Sequence, residues 1–163
     1  MVTIRRLSVE DWPTWRELRL AALGEAPYAF GSKLADWQGD GDRAERWRDR
    51  LLAAGINAIA ELDGVAAGMV SGVASGAEVE LISLWVAPRA RGHAVGDALV
   101  QAVLDWARAQ GAASVALEVR EGNAHAEALY RRHGFVDQGR VAAPEDDEAA
   151  ERRMIRALRD TCP

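Results

Sequence analysis

The sequence contains very little cysteine: Cys162, next to the C-terminal residue, is the only one. One cysteine excludes an intrachain disulfide framework and a cysteine-based zinc cluster, and it suits a cytosolic setting, so we expect a cytoplasmic protein. His93, His125 and His133 are not spaced as metal ligands, and we expect no metal. The sequence also shows no signal peptide and no apolar run long enough to cross a bilayer, so we expect no membrane association.

An excess of basic residues is also missing. The chain has 20 Lys and Arg residues against 25 Asp and Glu residues, a net charge of −5. This balance argues against nucleic acid as the main partner and is compatible with a cationic one. Repeats, low-complexity tracts and linkers are absent, and 49% of the 163 residues are apolar. These features predict a single folded domain over residues 1–163 with a substantial core.

The most informative stretch runs from Leu81 to Leu99. Its apolar first part, ending before Pro88, predicts a buried strand. Its last part predicts a helix, whose apolar residues recur at helical spacing: Leu99, Ala102, Val103 and Trp106. The turn between them carries two glycines and Arg91. Unpaired N–H groups converge where a helix begins, and Arg91 adds a positive fork, so the turn predicts a site for a phosphorylated ligand.

The spacing within this turn excludes two common phosphate motifs. A P-loop needs a lysine, which the turn lacks, and Gly92–Gly96 does not match the dinucleotide fingerprint. The turn resembles the acetyl-CoA loop of the GNAT superfamily of N-acetyltransferases, Arg/Gln-x-x-Gly-x-Gly/Ala, with Arg91, Ala94 and Gly96 at the named positions. Ala94 replaces the usual middle glycine, and alanine is disfavoured there if φ must be positive.

A second stretch, Leu117–Phe135, resembles another signature of the same family. The pattern Val-x-x-x-Asn-x-x-Ala-x-x-Leu-Tyr-x-x-x-Gly-Phe is matched at every named position, from Val119 to Phe135. The two matches follow each other in the family's order and cover the C-terminal half of the chain. The resemblance implies one GNAT-type domain with an α/β (α+β) fold: a mixed, mostly antiparallel sheet flanked by helices, with strands splayed around the cofactor site.

The remaining pattern predicts the other elements. Asp11 is the expected N-cap of a first helix, with Pro13 in its first turn, and Asp63-Gly64 predicts a hairpin. The expected strands are 2–7, 56–62, 65–74, 78–86, 115–119, 135–141 and 152–158. The expected helices begin at Asp11, span 42–54 and 123–133, and include the long helix ending near Gly111. Residues 24–41 are expected to form loop and short helical turns.

By resemblance, the cofactor is acetyl-CoA or coenzyme A. The strand backbone near Leu84–Val86 would pair with the pantetheine arm, and Arg91 with the turn would hold the pyrophosphate. The cofactor-binding residues implied are Leu84, Trp85, Val86, Arg91, Gly92, His93, Ala94, Val95, Gly96, Asp97, Asn123, Ala126 and Tyr130. Arg91 could instead be a surface arginine, and Asn123 is a good N-cap whatever the function.

The resemblance also implies catalytic residues. Tyr130 would donate to the departing CoA sulfur, although it could equally be a core tyrosine packed on Phe135. Glu80 would help to deprotonate the acceptor through a water molecule, because a carboxylate is too weak a base for direct proton removal unless burial raises its pKa. Strand alternation predicts that Glu80 shares a face with Ile82 and Leu84. An exposed strand-end role for Glu80 stays open, as do Ser83 and Glu118 as alternatives.

The implied function is transfer of an acetyl group to a primary amine by direct attack in a ternary complex. The acceptor, a small-molecule or peptide amine, would bind near Tyr28, Phe30, Trp37 and Trp85, although aromatic residues are also ordinary core. Two alternatives stay open: a CoA-binding sensing or scaffold module without turnover, and a structural domain that binds no nucleotide. A homodimer is a further possibility, since dimers are common in the family.

Overall fold

A central sheet of seven strands organises the described chain, residues 1–26, 34–141 and 150–159, in this computed structural model. The strands are β1 (Val2–Arg6), β2 (Ile56–Leu62), β3 (Val65–Ser75), β4 (Glu78–Val86), β5 (Ser114–Arg120), β6 (Val136–Val141) and β7 (Glu151–Ala157). Their order is β1-β2-β3-β4-β5-β7-β6, and every neighbouring pair is antiparallel except the parallel pair β4–β5. The predicted mixed, mostly antiparallel sheet is confirmed.

Four α-helices flank this sheet in the described part of the chain. They are α1 (Trp12–Glu25), α2 (Ala44–Leu52), α3 (Val95–Ala109) and α4 (Ala124–Arg132). Pro13 lies in the first turn of α1 as predicted, but Asp11 does not cap that helix with its side chain. Its carboxylate instead accepts a hydrogen bond of 2.8 Å from the backbone N–H of Ser8, within the preceding 3₁₀ turn. None of the described helices is both long and apolar enough to span a membrane.

The core is divided between the two faces of the sheet. On one face, α3 buries Leu99, Val103 and Leu104 against strand residues that include Val79 and Leu81. On the other face, α1 and α2 contribute a separate cluster, whose largest members are Trp15, Trp47, Met69, Ile59 and Trp85. Each fully buried large side chain contributes roughly 1.5–3 kcal/mol. Both faces of β3 and β4 are therefore held by packing, which fixes the strand that leads into the turn at Arg91–Gly96.

One irregularity breaks the pairing of β3 with β4. The partner of Met69 is Trp85, whereas the partner of Ser71, two residues later, is Ile82. Residues Ser83–Leu84 therefore form a β-bulge, in which two residues of β4 stand opposite one of β3. Such an extra residue reverses the faces that the following side chains present.

The bulge overturns part of the predicted alternation. Val79 and Leu81 belong to the buried cluster on the α3 face. Leu84 and Val86 are partly buried and pack against the same cluster. The residues of β4 that face α3 therefore have odd numbers up to Leu81 and even numbers from Leu84 onwards. The prediction that Glu80 shares a face with Leu84 is wrong, because the inserted residue at Ser83 moves Leu84 to the other side.

The parallel pair β4–β5 separates soon after it begins. Its ladder runs only from Glu78 opposite Ser114 to Glu80 opposite Ala116. Beyond this point the remaining residues of β4 and β5 diverge, while β5 stays paired with β7 through Arg120. The strands are thus splayed as predicted, and the opening lies at the C-terminal ends of two parallel strands, where α/β proteins commonly bind ligands.

Candidate functional site

A cleft of about 670 Å³ occupies the opening between β4 and β5. Its walls come from the end of β4, the start of α3, the end of β5 and one side of α4. Apolar residues, including Leu84, Val86, Ala126 and Leu129, line its middle. Charged and polar residues, including Arg91, Asp97 and Arg132, lie towards the start of α3. A ligand that fits the cleft would therefore combine an apolar arm with an anionic end.

The start of α3 provides the groups that can bind this anionic end. The helix begins at Val95, so the N–H groups of Val95, Gly96 and Asp97 have no acceptor within the helix. These donors and the helix dipole favour a negative charge. A Cβ on Gly96 would lie 3.0 Å from Leu129 Cδ2. A glycine at this position thus lets α3 and α4 approach closely at the cleft.

Ala94 adopts the positive φ that is disfavoured for alanine. It is the N-cap of α3 with φ +62°, in the left-handed region, although it is not glycine. Such a conformation costs an L-residue roughly 1–2 kcal/mol. The departure from the family pattern therefore leaves the geometry of the turn in place at a cost in stability.

Arg91 is held by a carboxylate from α1. Its Nη2 lies 3.0 Å from both carboxylate oxygens of Glu25. Glu25 also accepts a hydrogen bond of 2.9 Å from Trp85 Nε1. The hydrogen bonds from Trp85 and Arg91 outweigh the effect of burial and hold the pKa of Glu25 below its ordinary value. Glu25 therefore joins the C-terminal end of α1 to both β4 and the turn.

A second ion pair lies across the cleft, between α3 and the end of α4. Arg132 Nη2 lies 3.1 Å from Asp97 Oδ1, and His133 Nε2 lies 2.9 Å from the same oxygen. Burial raises the pKa of Asp97, but the hydrogen bonds from His133 and Arg132 outweigh it and hold that pKa below its ordinary value. The pair fixes Arg132 beside the start of α3, where a second cation can face an anionic ligand.

Tyr130 is the most buried ionisable group in the cleft wall. It is 7% exposed and meets Phe135 edge-on, with ring centroids 5.9 Å apart. Burial raises the pKa of its phenol above the ordinary value. Among the described residues its hydroxyl has no hydrogen-bond partner. Asn123 caps the same helix, with its side chain accepting from the Ala126 N–H at 3.3 Å. The helix thus presents a neutral phenol to the cleft.

The two candidate carboxylates are placed differently. Glu118 lies on the diverging part of β5 and lines the cleft. Glu80 is exposed at the last pair of the β4–β5 ladder, opposite Ala116, and does not line the cleft. Both act electrostatically on Arg153 of β7. The structure therefore brings Glu118 into the cleft wall and leaves Glu80 at the point where the strands part.

Most of the residues named from the sequence line this cleft. They are Leu84, Trp85, Val86, Arg91, Gly92, Ala94, Val95, Gly96, Asp97, Asn123, Ala126 and Tyr130. His93 is exposed and does not line it. Trp37 stacks on Trp47, with centroids 4.5 Å apart, outside the cleft. Tyr28 and Phe30 fall outside the described residues.

Sequence reasoning missed Glu25, Arg132 and His125, of which the latter two line the cleft. Arg132 and its partner Asp97 are 35 residues apart, and Glu25 and Arg91 are 66 apart. No local pattern signals such pairs. A comparison of charges on the facing sides of α3 and α4 could have suggested only the first.

Two curated proteins are similar to this chain in sequence. Streptothricin acetyltransferase of Streptomyces lavendulae is 34% identical over 124 residues, 76% of this chain and 64% of that protein. IAA acetyltransferase of Azospirillum brasilense is 36% identical over 75 residues, 46% of this chain and 49% of that protein. The chain thus spans between about half and just under two thirds of the length of these curated relatives.

Solved structures show the same fold. A Salmonella typhimurium protein, solved with its cofactor acetyl-CoA, superposes with a TM-score of 0.77 at 22% identity, covering 100% of this chain and 97% of that one. The model of the acetyltransferase (GNAT) family matches residues 8–135, which include the bulged strand, the turn and α4. This match covers well over half of the sequence, and the chain therefore belongs to the acetyltransferase (GNAT) family.

Proposed function

We propose that this protein transfers an acetyl group from acetyl-CoA to a primary amine, by direct attack within a ternary complex. One observation carries the proposal: a helix start with free N–H groups lies at one end of a cleft that opens between two diverging parallel strands. The family membership and the acetyl-CoA found with the structural relative support it.

The residues of the cleft fit coenzyme A. The N–H groups of Val95, Gly96 and Asp97, together with Arg91, would hold the pyrophosphate. The apolar middle of the cleft suits the pantetheine arm, and the unpaired edge of β4 beyond the bulge offers backbone groups to its amides. When bound, acetyl-CoA would supply an acetyl group activated as a thioester.

A base is needed because an alkyl ammonium with a pKa of ~10.4 is almost entirely protonated at neutral pH. Only the neutral amine can attack, so its proton must pass to the protein or to water. Glu80 is proposed to accept this proton through a water molecule, and the position of Glu118 in the cleft wall makes it the direct competitor. Both lie near the point where β4 and β5 separate.

Tyr130 is proposed to hydrogen-bond to the sulfur as the carbon–sulfur bond breaks. Its raised pKa keeps the phenol protonated over the working pH range, so it can act as a donor. The acceptor enters as an ammonium group and loses two protons. One passes through the base to water before the attack, and the one released after the attack balances the proton that the departing thiolate takes up, so one proton is released per turnover. No acyl-enzyme is proposed, since the transfer goes directly from thioester to amine.

The acceptor is proposed to be a small molecule or a peptide that carries a primary amine. Streptothricin acetyltransferase is named for a small-molecule acceptor, and it is the relative that covers more of this chain. The net charge of −5 is compatible with an acceptor that is cationic before it reacts. Of the proposed acceptor-side aromatic residues, Trp85 lines the cleft and Trp37 does not, while Tyr28 and Phe30 fall outside the described residues.

The first experiment is calorimetric titration of CoA into wild type, Arg91→Met and Arg89→Met. Arg89 is an exposed neighbour in the same turn that donates to the Ala66 carbonyl, so it provides a matched control. We expect Arg91→Met to weaken binding roughly tenfold, as for loss of one charge-assisted hydrogen bond, and Arg89→Met to change it little. A wild-type protein that binds no CoA would rule out the proposal.

Turnover is then measured as thiol release from acetyl-CoA against a panel of amines. Once an acceptor is found, Glu80→Gln and Glu118→Gln separate the two candidate bases, since only the true base should lower kcat and shift the acidic limb of the pH profile. CoA binding without release of thiol with any amine would favour the alternative of a binding module.

A further inference from the structure

Arg50, in the last turn of α2, is a partly buried charge for which the proposed reaction has no direct use. Its pKa is lowered by burial. Its guanidinium lies over Trp15, 5.2 Å from the ring centroid, and faces the β3–β4 region from the side opposite α3. Among the described residues its hydrogen-bond partners are all neutral side chains. A charge placed this way needs an explanation, because burial without a carboxylate partner is unfavourable.

The hydrogen bonds of Arg50 converge on the β-bulge. Its Nη2 donates to Ser83 Oγ at 3.1 Å and to Ser71 Oγ at 3.2 Å. Ser83 is the first bulged residue of β4, and Ser71 marks the end of the regular pairing on β3. A single nitrogen therefore bridges the two strands across the place where their register changes.

Ser83 needs such support. Its φ is +58°, in the left-handed region that is unfavourable for any residue with a Cβ. Residues held in this region persist only when their surroundings impose the conformation. Because the Arg50 bond holds the Ser83 side chain on the α2 side, it favours the backbone turn that sends Leu84 to the α3 side.

The same network is anchored in the core. Ser71 Oγ donates to Asn57 Oδ1 at 2.7 Å, and Asn57 Nδ2 donates to the Leu51 carbonyl at 2.9 Å. Ser71 and Asn57 are both buried. The network therefore links the C-terminal end of α2 to β2, β3 and β4, and it fixes the position of Arg50 relative to the bulge.

This arrangement has a cost. Arg19 of α1 is also buried, and burial together with the nearby charge of Arg50 lowers the pKa of Arg19 to about 10. Two guanidinium groups that repel each other on the same side of the sheet lower the stability of the folded protein. The cost is typical of a feature retained for the geometry of a site rather than for stability.

We infer that Arg50 is a positioning residue that holds the bulge at Ser83 and thereby fixes the free edge of β4 in the orientation that CoA binding requires. The inference rests on the proposed function for its last step, because the free edge matters only if a ligand arm pairs with it. Arg50 itself lies outside the cleft wall and acts through Ser83.

The test compares Arg50→Met with Arg48→Met. Arg48 lies on the same helix and is exposed. Its partners among the described residues are Glu10, at 3.8 Å, and the face of Trp12, so it controls for loss of an arginine from α2. Hydrogen exchange of the β4 peptide and CoA affinity are measured together with thermal unfolding. We expect Arg50→Met to raise exchange over Leu84–Val86, to weaken CoA binding about tenfold, and to leave Tm unchanged or higher. Arg48→Met should change none of the three.

A rescue experiment identifies the mechanism. Glycine adopts a positive φ without strain, so Ser83→Gly should keep the bulge without help from Arg50. In the Arg50→Met background we expect Ser83→Gly to recover most of the lost CoA affinity and to reverse the added exchange. Lysine at position 50 keeps the charge but cannot bridge Ser71 and Ser83 in the same way. Arg50→Lys should therefore recover less of the CoA affinity than Ser83→Gly does.

Each outcome decides the inference. Normal exchange in β4 and normal CoA affinity in Arg50→Met would overturn it. Weaker binding that follows a fall in Tm, without rescue by Ser83→Gly, would overturn it in favour of a general structural role. If wild type binds no CoA, the proposed function fails, and the exchange of β4 in Arg50→Met still decides whether Arg50 holds the bulge.

A second variant serves if Arg50→Met does not fold. Ser83→Ala removes the hydrogen-bond acceptor but keeps the arginine, and it is expected to raise hydrogen exchange in β4. Unchanged exchange in Ser83→Ala would overturn the inference.

Discussion

The two sides of the cleft are built in different ways. The β4 side, Leu84–Asp97, offers mainly backbone groups, and the geometry of these groups depends on contacts from α1 and α2. The α4 side, Glu118–Arg132, offers side chains such as Tyr130, whose positions follow from a short helix with its own cap. The comparison shows that one family site can combine a part that is encoded locally with a part that depends on long-range packing.

The difference has consequences for substitution. On the α4 side a single side chain can be removed without moving its neighbours, so chemistry and binding should separate. On the β4 side, a substitution changes the backbone or its supports, so its effect on CoA binding should come through the geometry of the strand and the turn. Four substitutions test this contrast: Tyr130→Phe is expected to have the largest effect, and Gly96→Val, Glu25→Gln and Ala94→Gly follow in order.

Tyr130→Phe should have the largest effect, and on turnover alone. Loss of a general-acid hydroxyl typically lowers kcat by roughly 10²–10⁴-fold. The hydroxyl faces the cleft and has no partner among the described residues, so its removal should leave the free energy of unfolding and the affinity for CoA nearly unchanged. Steady-state kinetics and calorimetry with the same preparation check this. An unchanged kcat would remove Tyr130 from the proposed mechanism.

Gly96→Val should disturb both sides at once. A Cβ at this position already lies 3.0 Å from Leu129 Cδ2, so the two further methyl groups of valine would push α3 away from α4. Overpacking of this kind costs about 1–3 kcal/mol. We expect weaker CoA binding together with a lower urea midpoint. Leu129→Ala in the same background should restore part of both, and failure to do so would mean that the contact is not the cause.

Glu25→Gln should have a smaller, pH-dependent effect on the β4 side. The pKa of Glu25 is lowered in the folded protein, so the carboxylate stabilises it above the unfolded pKa of ~4.3, and this contribution disappears as pH falls through the folded value. Because the pair with Arg91 is partly exposed, the loss at pH 7 should be only about 0.5 kcal/mol.

The difference between wild type and Glu25→Gln should therefore shrink as the pH falls below about 4. Urea unfolding at a series of pH values measures it. A difference that stays constant down to pH 3 would show that the carboxylate charge is not what stabilises this end of α1.

Ala94→Gly should have the smallest effect and the opposite sign. Glycine relieves the left-handed strain at φ +62° but adds entropy to the unfolded chain, so we expect a net gain of about 0.5 kcal/mol. Ala98→Gly, inside the first turns of the same helix, serves as the control and should lose up to about 1 kcal/mol. Equal losses in both variants would mean that Ala94 is not strained.

The sequence predicted the α4 side well because its information is local. The spacing from Asn123 to Phe135 corresponds to one capped helix and the turn that follows it, and the structure has both. The same holds for the strands, whose apolar runs and turn residues lie next to each other in the chain. Asp11 stands at the predicted N-cap position of α1, but its carboxylate accepts a hydrogen bond from the Ser8 N–H instead of capping the helix.

The β4 side could be predicted only in part. The turn and the start of α3 were recognisable from the sequence. The bulge was not, because the residues around Ser83 follow the pattern of a regular strand. The residues that support this side, Arg50 and Glu25, come from helices far away in the chain. Their importance follows from the residues that they contact, and no spacing of residues in the sequence predicts those contacts.

The sequence by itself determined the family, the order of the elements and the side chains that α4 presents, because helical and strand periodicity act over a few residues. Only the tertiary structure decided which face Leu84 takes, which carboxylate lies in the cleft and which charges hold Arg91 and Ser83. Those outcomes depend on packing between distant segments, where a shift of one residue in a strand reverses every side chain that follows.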